Sequence, residues 1–422
     1  MTARYDIAIA GGGMVGASLA LALAKASLTQ PLRIALFEAF PLPRIDQVPL
    51  PPSYDARSTA LSYGSARLFE QLGIWAHLAG AVAAIERIEV SDRGHFGVTR
   101  LDAASEGMPA LGYVVENRAL GRTLLEAVAE QDNIELLCPA EVVSARMTSD
   151  GMKLRVSDEA DQLSDCLASL LVVADGGRSG LCAQLQIDQQ QTPYEQCALI
   201  ANLTLDRSHQ GCAYERFTAD GPMALLPLSD DAEGQPRAAL VWSVPLEQAD
   251  ELCGWDDDRF LAEFQRRFGY RAGCALRIGE RHSYPLSLVR AREQARRGTV
   301  VLGNAAHTLH PIAGQGFNLA LRGALALADR VVAQRNAAGA LDDLAMLQAY
   351  VDGQRADQRK TIGFSDLTTR LFSNARPPLV VARNLGLLGL DLIPALKQSF
   401  GRSAMGLDQP APSFLQEIVD ER

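Results

Sequence analysis

A glycine-rich turn near the N-terminus places the strongest constraint on the fold of this chain. Residues 5–10 are an apolar run that predicts a strand, and residues 15–26 are rich in Ala and Leu with no helix breaker. Gly11, Gly13 and Gly16 lie between them with the spacing G-x-G-x-x-G. In that motif the glycines allow a tight turn, a close approach of backbone to a pyrophosphate, and close packing of helix on strand. The sequence therefore predicts a Rossmann-like unit with a phosphate at the helix N-terminus.

An acidic residue follows at the distance that this unit requires. Pro31 interrupts the chain after the helix, residues 32–37 predict a second strand, and Glu38 ends it. A carboxylate about 20 residues beyond the last glycine binds the ribose hydroxyls of a dinucleotide. The predicted nucleotide cradle comprises Gly11, Gly12, Gly13, Met14, Val15, Gly16 and Glu38.

Two later segments indicate which dinucleotide is bound. Asp175 and Gly176 follow the apolar run of residues 170–173, and Gly303 and Asn304 follow the strand-like residues 300–302. The third segment continues through residues 311–318 into a long helix. A unit for NAD would not need distant glycine loops, whereas three widely separated contacts suit a larger, extended cofactor.

These three segments together resemble the group A flavoprotein aromatic hydroxylases, the family of p-hydroxybenzoate hydroxylase. The resemblance implies the α/β class, with a Rossmann-like FAD-binding domain, an inserted β-sheet substrate domain and a helical C-terminal region. The expected ranges are 1–80, 105–180 and 281–340 for the FAD-binding domain, 81–104 and 181–280 for the substrate-binding sheet, and 341–422 for the C-terminal region.

The resemblance also implies roles for particular residues. The first motif and Glu38 match the FAD dinucleotide motif, and Asp175 and Gly176 match a turn near the pyrophosphate. The residues that match the segment against the ribityl chain and the flavin are Gly303, Asn304, Pro311, Gly314, Gln315, Gly316, Phe317 and Asn318. Arg57 falls in a loop beside the isoalloxazine, where it is either a catalytic residue that steadies the flavin or an ordinary loop arginine.

The chain departs from the family pattern at two positions. Asn304 stands where the family has Asp, and a neutral amide can still hydrogen-bond a ribityl or ribose hydroxyl. Asn117 stands where many relatives have an arginine, and Arg118 and Arg122 are nearby substitutes for cofactor binding. Which of these groups meets the cofactor is left open by the sequence.

Within the family, the chain resembles the ubiquinone-biosynthesis hydroxylases. The segments that carry this likeness are residues 90–95, 193–196, 215–218, 221–228, 303–318 and 379–384. It implies reduction of FAD by NAD(P)H, reaction with O2 to a flavin C4a-hydroperoxide, and hydroxylation of a polyprenylated methoxyphenol.

Alternative functions remain open at this point. One is hydroxylation at another position of a polyprenylphenol ring, and another is a non-catalytic flavin-bound subunit of a ubiquinone-synthesis assembly. A flavin oxidase or reductase is a further alternative, although such relatives usually lack a loop like residues 311–318. The general base is unknown, and the candidates are Tyr214, Glu215, His95 and His282.

Composition narrows the partners and the compartment. A net charge of −10 with no basic stripe argues against nucleic-acid binding, and seven scattered cysteines indicate reduced thiols rather than a metal site. The first strand begins almost at once, so we expect a cytoplasmic protein. Homo-oligomer formation is left open.

Three local expectations concern the rest of the chain. Residues 379–396 predict an amphipathic helix that either packs on its own domain or offers a face to the inner side of the membrane or to a partner protein. Residues 58–80 predict helix, and the polar tail after Leu407 predicts a frayed end.

Overall fold

The computed structural model describes residues 2–26, 30–41, 57–218, 220–372, 377–409 and 412–415. Most of the proline-rich stretch before Arg57 lies outside these ranges. The strands, in chain order, are β1 (Ala3–Ala10), β2 (Ile34–Phe37), β3 (Ser58–Ser62), β4 (Val82–Ile85), β5 (Arg87–Asp92), β6 (Val98–Asp102), β7 (Gly112–Glu116), β8 (Ile134–Leu137), β9 (Ala140–Thr148), β10 (Gly151–Asp158), β11 (Leu163–Val173), β12 (Gln189–Leu205), β13 (Cys212–Thr218), β14 (Gly221–Leu228), β15 (Arg237–Pro245), β16 (Ala275–Ile278), β17 (His282–Ala291), β18 (Ala295–Arg296), β19 (Thr299–Val301) and β20 (His307–Thr308).

The helices alternate with these strands in the first part of the chain and dominate after β20. In chain order they are α1 (Met14–Lys25), α2 (Tyr63–Gln71), α3 (Trp75–Leu78), α4 (Asn117–Ala129), α5 (Gly180–Gln184), α6 (Ala249–Gly254), α7 (Asp257–Phe268), α8 (Gln315–Asn336), α9 (Leu344–Phe372), α10 (Pro377–Leu392) and α11 (Pro394–Ala404). Short 3₁₀ turns lie at Ala104–Glu106, Leu246–Gln248, Gly303–Ala305 and Ile312–Gly314.

An eight-stranded sheet is built around the strand that precedes the glycine turn. β1 lies between β2 and β11, and β8 and β19 continue the sheet on the two sides, all five strands being parallel. Ile7 and Ile9 pack on one face with α1 and α8, and Ala8 and Ala10 pack on the other face with β10 and α5. Parallel strands covered on both faces require an almost continuous apolar sequence, which β1 has. The predicted Rossmann-like α/β fold is confirmed.

A nine-stranded sheet forms the second layer. Its strand order is β20-β17-β12-β15-β14-β13-β5-β6, and β16 pairs with β12. β17 belongs to this sheet although residues 281–340 were expected in the FAD-binding domain, and β4 pairs with β7 in a small three-stranded sheet with β3. We therefore propose the predicted division into domains with β4, β17 and β20 reassigned.

The nine-stranded sheet has an outer face that is sealed by helices. Asp256 caps α7 by accepting the N–H of Arg259 at 2.9 Å, and Phe260, Phe264 and Phe268 then recur every four residues on one side of that helix. These rings pack against Trp242, which is fully buried. Because side chains alternate along a strand, the residues adjacent in sequence to those of the outer face point to the opposite side of the sheet, toward the nucleotide domain. This side is the inner face.

Two local expectations are wrong in part. The 58–80 segment is helical in α2 and α3, as predicted. The first residues of the 58–80 segment form β3, which pairs with β7, rather than helix. The end of the chain is not frayed at residues 412–415, because Phe414 and Leu415 are buried in the core and Ser413 donates its N–H to Asp329 at 2.9 Å. In both segments long-range contacts decide the conformation.

The helix predicted in residues 379–396 is held to the nine-stranded sheet on one side and exposed on the other. Arg383 and Asp92 form a buried ion pair of 2.8 Å, with side chains 4% and 2% exposed. Asn384 donates to the same carboxylate at 2.8 Å and accepts the N–H of Gly97 at 2.8 Å. Val381 and Leu385 lie on the other side and are more than half exposed.

A helix that spans a membrane must be both long enough and apolar enough. No single described helix meets both requirements. α10 and α11 meet them only together, from Pro378 to Ala404, and the pair is bent by 96°.

We predict that Arg383→Ala lowers the free energy of unfolding by about 3–5 kcal/mol, because it leaves Asp92 as a buried charge without its main partner. Arg67 pairs with Glu70 at 3.4 Å on the surface, with side chains 59% and 48% exposed, and is the matched control. Arg67→Ala should change stability by about 1 kcal/mol or less. Urea unfolding of both variants measures the difference, and equal effects would contradict the importance of the buried pair.

Candidate active site

The predicted motifs meet at one edge of the eight-stranded sheet. The last residues of β1, β2, β11 and β19 lie in register, with Ala10 opposite both Phe37 and Val173, and Val173 opposite Val301. The glycine turn, Glu38, Asp175 and Gly303 each follow one of these strands. In open α/β sheets, ligands bind outside the carboxyl ends of the parallel strands.

The three motifs touch one another through glycines. Gly11 has a φ of +112°, and a Cβ atom there would lie 2.4 Å from the carbonyl oxygen of Ala174. Gly303 has a φ of +63° and lies against Val15, to which a Cβ would approach within 3.3 Å. A side chain at either position would separate the loops, so the cradle depends on glycine there.

The start of α1 fits a phosphate group. Gly13 is the N-cap in an extended conformation, and within the described chain no side chain caps the helix and no acidic residue lies in its first turn. Uncapped N–H groups at the positive end of a helix bind anions. Gly16, within α1, packs so closely on Gly11 that a Cβ would lie 2.0 Å from the Gly11 carbonyl oxygen.

Glu38 lies beside the glycine turn. Its carboxylate accepts the N–H of Gly12 at 3.0 Å and the N–H of Phe40 at 2.9 Å. Burial raises the pKa of this carboxyl, although both backbone donors lower it. Each oxygen keeps a second lone pair, which suits the acceptance of ribose hydroxyls. The donor set therefore fits the nucleotide half of FAD.

The second motif lies in a concave part of the surface. Asp175 accepts the hydroxyl hydrogen of Ser179 at 2.7 Å, and Ser179 caps α5 through the N–H of Cys182 at 2.8 Å. Asp175 is open to solvent, yet desolvation by the surrounding protein raises the pKa of its carboxyl. Apart from its chain neighbours, Gly176 beside it has no atom of the described residues within 4 Å of its Cβ position. The space in front of this turn is available to a ligand.

The third motif is fixed to β3 by Asn318. Its amide nitrogen donates to the carbonyl groups of Ala60 and Gly314, both at 2.8 Å, and its amide oxygen accepts the N–H of Ser62 at 2.8 Å. The side chain is 1% exposed and uses both amide hydrogens in these bonds. Asn318 therefore acts on the cofactor site by holding the loop in place.

The same loop presents the beginning of α8 to the cleft. Gly314 is the N-cap with a φ of +60°, and no described side chain caps the helix. Pro311 begins the turn that precedes it, accepting the N–H of Gly314 at 3.1 Å. Gln315 donates to the carbonyl of Ala313 at 3.2 Å. The open N–H groups at Gln315, Gly316 and Phe317 can stabilise negative charge on a reduced flavin.

Arg57 lies between the nucleotide domain and the nine-stranded sheet. Its carbonyl accepts the N–H of Asn117 at 2.8 Å, and its guanidinium lies over the ring of Tyr284 at 4.7 Å from the centroid. Tyr284 is on β17, opposite Ala198 of β12, and so belongs to the inner face of the sheet. This position is compatible with a group that contacts both flavin and substrate.

The remaining cofactor candidates are at the surface. Arg118 is exposed and pairs with Glu116 at 3.3 Å, and Arg122 is exposed one turn further along α4. Asn304 is exposed, with its carbonyl accepting the hydroxyl hydrogen of Thr308 at 3.0 Å. A direct contact of these three side chains with the cofactor remains a prediction.

The four candidates for a general base are separated by the structure. Tyr214 packs on Phe268 on the outer face of the sheet, and burial raises the pKa of its hydroxyl to about 12. His95 lies 3.2 Å from Asp92 in the turn after β5, and His282 lies 3.7 Å from Glu280. Glu215 is on the inner face, paired with Val90, which packs with Ile312 of the third motif; burial raises the pKa of the Glu215 carboxyl to about 7.

Sequence reasoning missed the aromatic groups of this inner face. Tyr194 packs edge to face on His310 with centroids 5.2 Å apart, and Phe217 packs with Ile312. Strand alternation would have predicted that Tyr284 and Phe217 lie on one face of the sheet, but only if the pairing register of their strands had been known. Met223, Leu225 and Trp242 lie instead in the outer core under α7 and do not line the inner face.

Comparisons with known proteins agree with this geometry. A model for FAD binding domains matches residues 4–360. The ubiquinone hydroxylase of Rhodospirillum rubrum is 33% identical over 406 residues, covering 95% of this chain and 89% of that protein. The 3-demethoxyubiquinol 3-hydroxylase of Escherichia coli is 31% identical over 405 residues, covering 95% of this chain and 98% of that protein.

The chain belongs to the family of FAD-dependent ubiquinone-biosynthesis hydroxylases. It is thus an FAD-dependent aromatic hydroxylase, and NAD(P)H is the usual reductant in this family. The fold of the hydroxylase is similar to p-nitrophenol 4-monooxygenase from Pseudomonas putida, with a TM-score of 0.77, 16% identity, and coverage of 97% of this chain and 99% of that one.

We predict that Gly13→Val abolishes FAD binding, because a side chain at the helix N-cap would occupy the place of the pyrophosphate. Gly353, an exposed glycine of α9 with open space at its Cβ position, gives the control variant Gly353→Val. Flavin content after purification and titration of the apoprotein with FAD measure the outcome. Wild-type FAD affinity in Gly13→Val would show that the motif is wrongly assigned.

A second prediction concerns the departure at Asn304. If its amide hydrogen-bonds the cofactor, Asn304→Asp retains or strengthens FAD binding, whereas Asn304→Leu weakens it by about 1–3 kcal/mol because a polar partner is left unpaired. Quenching of flavin fluorescence gives the three dissociation constants. Identical constants would remove Asn304 from the cofactor site.

Proposed function

We propose that this hydroxylase adds a hydroxyl group to the ring of a polyprenylated methoxyphenol, of the 2-octaprenyl-6-methoxyphenol type, in ubiquinone biosynthesis. The observation that carries the proposal is the meeting of three glycine motifs and an uncapped α8 N-terminus below the inner face of the nine-stranded sheet. The names of the two curated relatives support a ring of the ubiquinone type.

Each group of the site has a separate task in this reaction. FAD, when bound, takes electrons from NAD(P)H and activates O2 for transfer of one oxygen atom to the ring. The glycine turn, Glu38 and the loop at Asp175 bind the nucleotide half, and the loop held by Asn318 orients the flavin. The phenol then lies between that loop and the inner face of the sheet, where Tyr284 and Phe217 supply aromatic walls.

The relatives also support a second candidate. The Escherichia coli relative is named for hydroxylation at the 3 position of a demethoxyubiquinol, which is a different ring position. A phenol reacts with electrophilic oxygen at the carbons ortho and para to its hydroxyl, so the activated carbon that the site holds against the flavin would decide between the two reactions.

The proposal is tested by an assay of the purified protein and by measurement of quinone intermediates in deletion strains. Purified, FAD-loaded protein is incubated with NADPH, O2 and either ring type, and substrate-stimulated NADPH oxidation is compared with product mass. In parallel, the gene is expressed in strains that each lack one ubiquinone hydroxylase, and the accumulated quinone intermediates are measured by mass. FAD binding without stimulated oxidation on either ring would support the non-catalytic subunit and overturn the proposal.

The exposed side of α10 and α11 has a place in this proposal. Leu385 and Leu392 of α10 and Leu396 of α11 are each more than half exposed, and the other side of α10 is held to the sheet by Asp92. An isoprenoid tail resides in a membrane, and exposed leucines on an amphipathic element suit contact with lipid or with a lipid-carrying partner. We propose that this surface gives the hydroxylase peripheral access to long-tailed substrates.

We predict that the double variant Leu385→Ser, Leu392→Ser keeps FAD binding and activity on a phenol with one prenyl unit, but loses activity on a substrate with eight units embedded in liposomes. Deletion of the helix is a poorer test, because it also removes Arg383 and Asn384 from Asp92. The control Leu163→Ser changes an exposed leucine on β11, which is distant from α10 in the sequence. Equal losses on both substrates would argue against a role in lipid access.

A further inference from the structure

The carboxyl group of Glu215 lies where the nine-stranded sheet meets the third motif. The backbone N–H of Ala313, in the loop between Pro311 and the start of α8, is near enough to lower the pKa of this carboxyl, although burial has the larger and opposite effect. Ala313 has a φ of +56°, a conformation that is uncommon for a residue other than glycine. Glu215, paired with Val90 across the strands, therefore lies beside the loop that Asn318 holds in place for the cofactor.

Alternation along β13 fixes the direction of this side chain. Tyr214 packs on the outer face and Phe217 packs with Ile312 on the inner face. Glu215 has the same parity as Phe217, so it points inward with Phe217 and away from Tyr214. Its neighbours across the strands are Val90 and Ala224, neither of which can bond to a carboxylate through its side chain.

The other charged and titratable groups of the surrounding elements have different partners or do not titrate near neutral pH. They are Asp92, His95, His310, Arg57 and Arg383. Arg383 pairs with Asp92, which also lies 3.2 Å from His95. Burial lowers the pKa of His310 to about 4. Within the described residues, burial and the Ala313 N–H are the influences on the ionisation of Glu215.

The carboxyl of Glu215 is largely surrounded by protein. Glu215 retains partial solvent exposure, while desolvation raises the pKa of its carboxyl from 4.5 to about 7. An ionised carboxylate offers about four acceptor sites, of which the Ala313 N–H takes one. A phenol has a pKa of about 10. Because the raised pKa of the Glu215 carboxyl is closer to this value than an ordinary carboxyl pKa, the carboxylate is a better acceptor of the phenol proton.

We propose that Glu215 accepts a hydrogen bond from the phenolic hydroxyl of the substrate and takes its proton during hydroxylation. The O–H bond of the phenol breaks, its electron pair remains on the phenolate oxygen, and the proton goes to a carboxylate oxygen of Glu215. The more electron-rich phenolate ring then receives the oxygen atom, and the carboxyl returns its proton to solvent. This inference rests on the proposed hydroxylation of a phenol by this site.

The main test is the pH profile of kcat/KM for FAD-loaded protein on a phenol with one prenyl unit. The wild type should lose activity as pH falls through about 7, because Glu215 becomes protonated. Glu215→Gln, which has nearly the same shape, should lose this acid limb and lower kcat by roughly 10²–10⁴-fold with little change in KM. Glu215→Asp should recover part of the rate.

A second measurement does not depend on turnover. A carboxyl whose pKa is raised by folding stabilises the protein below its unfolded pKa, and this contribution is lost as pH rises through the folded pKa. The unfolding midpoint of the wild type, measured relative to that of Glu215→Gln, should therefore decrease as the pH rises from about 4.5 to about 7. Glu126, an exposed carboxyl of α4, provides the control variant Glu126→Gln, which should show neither effect.

The outcomes separate this inference from the proposed function. No phenol-stimulated turnover in the wild type would overturn both. Wild-type turnover with an unchanged acid limb and rate in Glu215→Gln would overturn the role of Glu215 alone. If Glu215→Gln does not fold, Glu215→Asp decides, since a shorter carboxyl must lower kcat and shift the acid limb, and an unchanged profile would overturn the inference.

Discussion

The contact between Gly11 and the backbone at Ala174 is the constraint on which the rest of the cofactor site depends. A Cβ atom at Gly11 would lie 2.4 Å from the Ala174 carbonyl oxygen, so only glycine lets the first and second motifs touch. That contact follows from the register of β1 and β11, which brings Ala10 opposite Val173. Gly303 repeats the arrangement on Val15 at the third motif. Three loops that are distant in the sequence thereby form one surface.

The second layer is positioned by a few buried polar contacts. Asn318 bonds to Gly314 of the flavin loop and to Ala60 and Ser62 of β3, and Phe217 of β13 packs on Ile312 of the same loop. On the far side, the buried pair of Asp92 and Arg383 holds α10 to the sheet. Polar groups removed from water are expensive unless each is bonded, and this requirement fixes their geometry. The flavin loop is therefore held between β3 of the three-stranded sheet and β13 of the nine-stranded sheet.

The sequence predicted those features that depend on local pattern. The glycine spacing, the apolar run of β1 and the acid at Glu38 gave the Rossmann-like unit, since each has a direct local cause in turn geometry or strand burial. It was misleading where distant partners decide, as at Ser58–Ser62, which pairs with β7, and at Phe414, which is buried in the core. The direction of Asn318 could not be predicted, because its partners Ala60 and Ser62 lie more than 250 residues earlier.

The sequence by itself determined the cofactor class and predicted the residues of its cradle, because glycine at the turns and a carboxylate after β2 are chemical requirements of a dinucleotide. Only the tertiary structure decided which of four candidate bases faces the flavin loop. Tyr214 and Glu215 are adjacent in the chain, yet the pleat sends one to the outer core and the other to Ala313. Which face is inner depends on the packing of α7 and the 311–318 loop on opposite sides of one sheet, and no local pattern encodes that choice.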